Sequence, residues 1–200
     1  MNRFLLGALV ASIVTLPAFA SLKPGEKAPV FKTQASLAGK AFDFSLADAL
    51  KKGPVVVYFY PAAFTGGCNL EAHTFAVNKK KFEAAHATIV GVSGDSIERL
   101  NAFSADPQYC AGEFPVASDP DGAIGKSFGL NVKVREGAPT YRDSRGDLVD
   151  NKVGIERTTF VIAPDLKIVA VFSSAEDKIR PNEHVEKSLA LVEELDTAKR

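Results

Sequence analysis

The sequence has no tryptophan, one methionine and only two cysteines, Cys68 and Cys110, in 200 residues. The two cysteines are 42 positions apart, so the chain has no C-x-x-C pair. This absence excludes a zinc knuckle and the usual thioredoxin-type dithiol. The three histidines add no evident set of metal ligands, and we therefore expect no metal site.

An excess of charge of either sign is also missing. The chain has 24 Lys and Arg residues against 24 Asp and Glu residues, a formal net charge of zero. It therefore gives no reason to expect a nucleic acid or an anionic membrane as a partner. The longest basic cluster, Lys79–Lys81, is typical of the solvated face of a helix. With 46% hydrophobic residues, the chain can form one soluble domain with a full core.

The N-terminal segment has the pattern of a secretory signal. Met1–Arg3 carries one positive charge, an apolar run extends from Phe4 to Leu16, and Ala18–Ala20 has the small-x-small form of a signal-peptidase site. A spanning helix needs about 20 apolar residues, more than this run supplies. We predict a signal peptide at residues 1–20 and a single domain at residues 21–200, located in the bacterial periplasm or outside the cell. The alternative is an uncleaved membrane anchor.

The stretch around Cys68 organises the rest of the chain. Val55–Tyr60 is an uninterrupted β-branched and aromatic run, which predicts a strand buried on both faces. Pro61 ends this strand because it has no N–H to donate, and the pair Gly66 and Gly67 allows a tight turn. A helical pattern begins near Cys68, where unpaired backbone N–H groups and the helix dipole favour a thiolate.

Apolar periodicity predicts alternating strands and helices along the chain. The other predicted strands are Val30–Phe31, Ala41–Phe44, Thr88–Ser93, Phe114–Ser118, Arg157–Ile162 and Lys167–Phe172, and the predicted helices are Leu46–Lys51, Cys68–His86, Ser96–Asp106, Asp121–Phe128 and one that opens at Pro181. The last two strands form a predicted antiparallel hairpin, and Asn131–Gly154 is either an exposed loop or an irregular strand pair. This order predicts an α/β fold, with a mixed sheet and helices on both of its faces.

The motif Pro61-x-x-x-Thr65-x-x-Cys68 matches the active-site motif of peroxiredoxins. Its flanks resemble the PrxQ (bacterioferritin comigratory protein) branch, as do the downstream segments Ser118–Gly122, Glu156–Ile162 and Asn182–Val185. The resemblance extends over nearly all of residues 21–200. It implies a thioredoxin-like fold, a thiol peroxidase without an organic cofactor, and a monomer.

The resemblance also implies a role for each matching residue. Cys68 would be the peroxidatic cysteine, which attacks the peroxide as a thiolate and becomes a sulfenic acid. Thr65 would hold its hydroxyl near the thiolate and the peroxide, Pro61 would shield the thiolate from water, and Arg157 would supply positive charge and forked donors. Glu71 would orient Arg157. The alternatives are a small buried hydrophobe for Cys68 and a surface charge for Arg157.

One position departs from the pattern of the branch. Many members have a resolving cysteine five residues after the peroxidatic one, where this chain has His73. Other members place it further along, which would make Cys110 the resolving cysteine after local unfolding. Two alternatives stay open: a permanent Cys68–Cys110 disulfide, or a one-cysteine enzyme in which an external thiol resolves Cys68. His86 and His184 are predicted to be surface residues.

The leading hypothesis is a thiol peroxidase that reduces hydrogen peroxide and organic hydroperoxides with electrons from a thioredoxin-like reductant. A thiol–disulfide oxidoreductase of the same fold is disfavoured, because Thr65 stands where the first cysteine of a C-x-x-C would be. A redox-inactive carrier protein is disfavoured by the missing pair of Cys or His ligands.

Overall fold

The computed structural model describes residues 21–198. The predicted signal peptide, residues 1–20, lies outside the described residues. Within residues 21–198, no helix is long and apolar enough to cross a membrane.

Within residues 21–198, nine strands form one large and one small sheet. The strands are β1 Lys32–Leu37, β2 Lys40–Ser45, β3 Val55–Phe59, β4 Thr88–Ser93, β5 Val116–Ser118, β6 Val132–Val134, β7 Val153–Ile155, β8 Thr158–Ile162 and β9 Ile168–Ser173. The seven-stranded sheet has the order β2-β1-β5-β4-β3-β8-β9, and β6 pairs with β7. Strands β3, β4 and β5 are parallel, whereas β1–β5, β3–β8 and β8–β9 are antiparallel pairs. The prediction of a mixed sheet is confirmed.

Strand β3 lies at the centre of the sheet and is buried along its whole length. Its alternating side chains enter two separate cores: Val56 and Tyr58 face one, and Val55, Val57 and Phe59 face the other. A strand covered on both faces needs an uninterrupted apolar run. The apolar run at β3 therefore predicted correctly that this strand is buried on both faces.

Six helices cover the two faces. They are α1 Leu46–Leu50, α2 Gly66–Ala84, α3 Ile97–Ala105, α4 Ala123–Ser127, α5 Ser174–Asp177 and α6 Pro181–Thr197. The first core contains buried residues of α2, α3 and α6, and the second contains those of α1. Ser45 and Ser96 cap α1 and α3 by accepting a backbone N–H three residues on. Helices on both faces of the sheet are therefore confirmed.

Most differences from the predicted elements are at their ends. The prediction of a strand at Val30–Phe31 is wrong, because β1 begins at Lys32. Short helix α5 was not predicted. Between Asn131 and Gly154 the chain forms the β6–β7 ladder and a long loop, so the strand-pair alternative is the correct one.

The prediction that His184 is a surface residue is wrong. His184 lies on the buried face of α6 and is fully inaccessible to solvent. Its Nδ1 lies 3.0 Å from Oγ1 of Thr159, and its Nε2 lies 2.8 Å from Oγ of Ser174. Two hydroxyls therefore satisfy both ring nitrogens, and this allows a polar ring inside an apolar core. His73 and His86 are exposed.

Replacing Gly91 in β4 with alanine should destabilise the protein. A Cβ at this position would lie 2.6 Å from the ring of Tyr58, which itself stacks on Phe75. Because the ring is buried and cannot move freely, we expect Gly91→Ala to lower the free energy of unfolding by about 1–3 kcal/mol. Gly66→Ala is the control, since its Cβ would meet no atom within 4 Å. Urea denaturation measures both; equal stability of the two variants would contradict the packing described here.

His184 should make the protein sensitive to acid. Burial, with a further contribution from the nearby charge of Arg157, lowers the pKa of His184 from 6.5 to about 4. Between these pH values the unfolded chain binds a proton at this ring and the folded chain does not, so stability falls as the pH is lowered through the window. The non-titrating variant His184→Gln should lose less stability from pH 6.5 to 4 than wild type in urea denaturation. Parallel pH dependences would contradict this expectation.

Candidate active site

The Cys68 sulfur lies in the first turn of α2, at the carboxyl end of the central strand. Thr65 occupies the N-cap position with extended backbone angles, and Cys68 is the third helical residue. The first four N–H groups of a helix have no partner within the helix, and they concentrate positive potential at this end. The Cys68 side chain is nevertheless only 2% exposed, so solvent stabilises the sulfur little.

The sheet brings Arg157 to this sulfur. Strand β8 runs antiparallel to β3, with Phe59 opposite Thr158. The start of β8 therefore lies beside the end of β3, and Arg157, which directly precedes β8, comes next to the turn that leads to Cys68. The Nη2 atom of Arg157 donates a hydrogen bond to Sγ of Cys68 at 3.1 Å. The side chain of Arg157 is 11% exposed and is not a surface charge.

Glu71 completes this charged cluster from the next turn of α2. Nη1 of Arg157 donates to Oε2 of Glu71, which is fully buried. Burial raises the pKa of Glu71 to about 7, and the Arg157 guanidinium opposes the shift by stabilising the carboxylate. Burial by itself disfavours the charged form of Arg157, but the neighbouring Glu71 and Cys68 outweigh it and raise the pKa of Arg157. The guanidinium thus stays charged between a carboxyl group and a sulfur.

Two more of the predicted site residues, Pro61 and Thr65, lie in the turn before α2. The hydroxyl of Thr65 donates to the carbonyl of Ala62 at 2.8 Å and does not cap the helix. Pro61 follows the end of β3, and its carbonyl accepts a hydrogen bond from Nδ2 of Asn151 at 2.9 Å. Both residues therefore belong to the turn that carries Cys68.

A second charged network holds this turn, and our sequence analysis missed it. Oδ2 of Asp95 accepts the N–H of Ala63 at 2.7 Å, and Nη2 of Arg99 donates to the Ala63 carbonyl at 3.0 Å. Arg99 also pairs with Asp143 at 2.6 Å. A signal was present for Asp95, because it is an acidic residue just beyond the carboxyl end of a parallel strand. Nothing in the sequence pattern connects Asp143 to the turn.

Phe64 packs the turn against two arginines and two aromatic rings. It is fully buried and has a positive φ of 62°, an uncommon conformation outside glycine. The guanidinium of Arg145 lies 3.4 Å from its ring centroid, and that of Arg99 lies 5.3 Å away. Its ring contacts Phe103 and Tyr109 edge to face. The turn before Cys68 is therefore held by packing as well as by hydrogen bonds.

Cys110 lies in an irregular turn after α3 and belongs to the same apolar core as Cys68. It is fully buried, and burial together with the Asp106 carboxylate raises the pKa of the Cys110 thiol well above its ordinary value. Cys68 and Cys110 are not joined by a disulfide in this structure. As folded, Cys110 is a protonated and inaccessible thiol.

Few contacts outside the first core hold the Cys110 turn in place. Nδ1 of His73 lies 3.1 Å from the carbonyl of Gln108, and the hydroxyl of Tyr109 lies 3.2 Å from Oγ of Ser144. His73, at the position where many branch members have a cysteine, therefore contacts the segment that contains Cys110.

Metal ligands do not cluster in the part of the chain that the structure describes. Among residues 21–198, no group of three or more His, Cys, Asp or Glu side chains could hold a metal ion. The charged groups beside Cys68 are a guanidinium and a single carboxylate, which suits an anionic sulfur rather than a cation.

Comparison with known proteins identifies the family. Residues 24–171 match the AhpC/TSA family. A peroxiredoxin of Mycobacterium tuberculosis is 37% identical over 166 residues, which are 83% of this chain and 92% of the relative. A Bcp peroxiredoxin of Coxiella burnetii is 29% identical over 165 residues, 82% of this chain and 95% of the relative.

Solved structures agree with the sequence comparisons. The crystal structure of peroxidoxin BcpB from Mycobacterium tuberculosis superposes with a TM-score of 0.66 at 31% identity, covering 86% of this chain and 97% of that one. Xanthomonas campestris peroxiredoxin Q gives 0.61 at 30% identity, with 82% and 90% covered. These matches confirm the thioredoxin-like fold. The chain therefore belongs to the AhpC/TSA family of peroxiredoxins, as a thiol peroxidase close to the Bcp/PrxQ branch.

Proposed function

We propose that this thiol peroxidase reduces hydrogen peroxide and organic hydroperoxides through Cys68. Cys110 then resolves the sulfenic acid that forms on Cys68. The Cys68 thiolate attacks one peroxide oxygen: an S–O bond forms, the O–O bond breaks, and the sulfur is oxidised to a sulfenic acid. The second oxygen leaves and takes up a proton to become water or an alcohol. The Cys110 thiolate then attacks the sulfenic sulfur, so that an S–S bond forms and water leaves. A dithiol reductant restores both thiols and itself becomes a disulfide.

The observation that carries the proposal is the hydrogen bond from Arg157 to the Cys68 sulfur. A guanidinium is permanently charged and has forked donors, so it can stabilise negative charge on the sulfur before the reaction and on the departing oxygen during it. Glu71 accepts a hydrogen bond from Nη1, the other terminal nitrogen of Arg157, and thereby fixes the orientation of the guanidinium. Pro61 and Thr65 belong to the turn before Cys68. In this proposal Pro61 shields the thiolate from water, and Thr65 holds its hydroxyl near the thiolate and the peroxide.

The position of Cys110 supports a resolving role that depends on local unfolding. Its turn contains no helix or strand, and the backbone hydrogen bonds from its N–H groups are local, such as Ala111 to Asp106 and Gly112 to Ser104. The turn can therefore open without breaking the sheet. Opening would also expose Cys110 to solvent and remove the burial that keeps it protonated.

A relative supports organic hydroperoxides as substrates. A structural study of the bacterioferritin comigratory protein of Xanthomonas campestris concerns its alkyl peroxide reduction activity. That protein is 29% identical, covers 82% of this chain and superposes with a TM-score of 0.60. We extend this activity to the present chain.

We further propose that the enzyme is a secreted or periplasmic monomer recycled by a thioredoxin-like protein of the same compartment. Residues 1–20 have the charge and length of a secretory signal, and the family match begins shortly after them, at residue 24. Cytoplasmic thioredoxin would not meet a secreted enzyme. The proposed reductant is therefore a different dithiol protein, located in the periplasm or outside the cell.

Oxidation with one equivalent of hydrogen peroxide should convert the reduced protein into a Cys68–Cys110 disulfide. We expect rapid loss of the peroxide and a mass decrease of about two hydrogens, with the cross-link located by non-reducing peptide mass spectrometry. Cys110→Ser should still consume one equivalent but stop at the sulfenic acid of Cys68, which a second equivalent would oxidise to the sulfinic acid.

Cys68→Ser is the matched control, and it should consume no peroxide at a comparable rate. Cys68 sulfenic acid in wild type with Cys110 still reduced would make the enzyme a one-cysteine peroxidase. A disulfide present before oxidation and resistant to mild reduction would favour the structural alternative. Slow peroxide consumption by wild type would contradict the proposal as a whole.

Replacing Arg157 with lysine should slow the reaction with peroxide. Lysine keeps the charge but has a single ammonium group, which cannot donate to the Cys68 sulfur and to Glu71 in the same geometry. Hydrogen bonds to charged groups contribute about 1.5–3 kcal/mol, so we expect the second-order rate constant to fall about 10- to 100-fold. Stopped-flow kinetics measures this constant. Arg180→Lys, at an arginine whose side chain is 76% exposed, should react like wild type; equal rates for both variants would refute the role of Arg157.

A further inference from the structure

The backbone of Arg157 is held by the chain just beyond strand β9. The N–H of Ser174 donates to the Arg157 carbonyl at 3.2 Å. The next residue, Thr158, pairs with Ser173 in the β8–β9 ladder. The guanidinium therefore extends toward Cys68 from the place where the start of β8 meets the end of β9, and a shift of either end moves it.

His184 of α6 bridges the same two chain ends. The ring nitrogen Nδ1 is hydrogen-bonded to the hydroxyl of Thr159 in β8 at 3.0 Å. The ring nitrogen Nε2 is hydrogen-bonded to the hydroxyl of Ser174 in α5 at 2.8 Å. A neutral imidazole has one donor and one acceptor nitrogen, and a hydroxyl can match either. The ring thus makes two complementary hydrogen bonds between segments that flank Arg157.

The start of α6 also packs against the helix that carries the sulfur. A Cβ at Gly67 would lie 3.2 Å from Cγ of Pro181 and 3.3 Å from Nη2 of Arg157. Pro181 is the first residue of α6, one turn before His184. Helix α6 therefore packs against α2, which carries Cys68, and against β8, which directly follows Arg157.

The charge state of His184 is compatible with this position. Burial lowers the pKa of His184 to about 4, and the positive charge of Arg157 acts in the same direction. At neutral pH the ring is uncharged and does not repel the guanidinium.

We propose that His184 is a positioning residue for Arg157: it ties Thr159 to Ser174 and so fixes the strand ends from which the guanidinium reaches Cys68. The inference rests on the role of Arg157 in the proposed function. A histidine that only anchored α6 would contribute to stability and leave the reactivity of the sulfur unchanged. The two roles are therefore separable by experiment.

The test uses the Cys110→Ser background, in which Cys68 is the only thiol. His184→Leu loses both hydrogen bonds, whereas His184→Gln keeps one donor and one acceptor. We expect single-turnover peroxide consumption and alkylation of Cys68 by iodoacetamide at pH 7 to slow on the order of tenfold in His184→Leu, with partial recovery in His184→Gln. Alkylation requires neither the peroxide reaction nor Cys110, so it tests His184 even if the proposed catalytic cycle fails.

Two controls separate positioning from stability. Val192→Ala truncates another buried residue on the same face of α6, and it should lower the melting temperature without changing either rate. Arg157→Gln completes a double-mutant cycle. When a His184 substitution is added to Arg157→Gln, we expect no further slowing of peroxide consumption or of Cys68 alkylation. His184→Gln serves in the same cycle if His184→Leu does not fold. The proposal would be overturned if both His184 variants reacted at wild-type rates. It would also be overturned if a His184 substitution slowed the Arg157→Gln protein as much as it slows the protein with Arg157 intact.

Discussion

One buried guanidinium holds the reactive end of this molecule together. Arg157 lies between the Cys68 sulfur and the Glu71 carboxyl group and donates a hydrogen bond to each of them. Breaking a buried ion pair by removing one partner costs about 3–5 kcal/mol, because the remaining charge is left without compensation. The guanidinium that contacts the sulfur thus also offsets the burial of Glu71. In the proposed function, reactivity and local stability depend on the same side chain.

The sheet topology explains how an arginine 89 positions from Cys68 comes to this place. Strand β8 is antiparallel to β3, so the residue before β8 lies beside the residues after β3. Strand β4 is parallel to β3, and its carboxyl end brings Asp95 to the same edge, where it holds the backbone of Ala63. The ends of three neighbouring strands therefore bring together the Cys68 sulfur, the Arg157 guanidinium and the carboxylate that holds the turn.

The local parts of this arrangement were predictable from the sequence, and the non-local parts were not. The apolar run of β3, the break at Pro61 and the helix start at Cys68 are short-range patterns, and each was found. His184 was misassigned because a polar ring on an apolar helical stripe looks exposed until its hydroxyl partners are known. Those partners, Thr159 and Ser174, become neighbours only through the register of β8 and β9. Burial of a polar group is decided by partners that periodicity does not reveal.

The proposed cycle makes two opposing demands on the turn that contains Cys110. The turn must stay packed in the reduced site, and it must open so that Cys110 can attack the sulfenic acid of Cys68. Tyr109, next to Cys110, packs on Phe64 of the turn before Cys68 and on Phe103 of α3. Each aromatic pair contributes about 0.5–1.5 kcal/mol, and each hydrogen bond, such as that between the hydroxyls of Tyr109 and Ser144, contributes about the same. Releasing the Cys110 turn therefore costs a few kcal/mol, less than the roughly 5–15 kcal/mol that holds a whole domain folded. In the proposed cycle, these contacts keep Cys110 buried while Cys68 reacts with peroxide, and the turn then opens without unfolding the sheet.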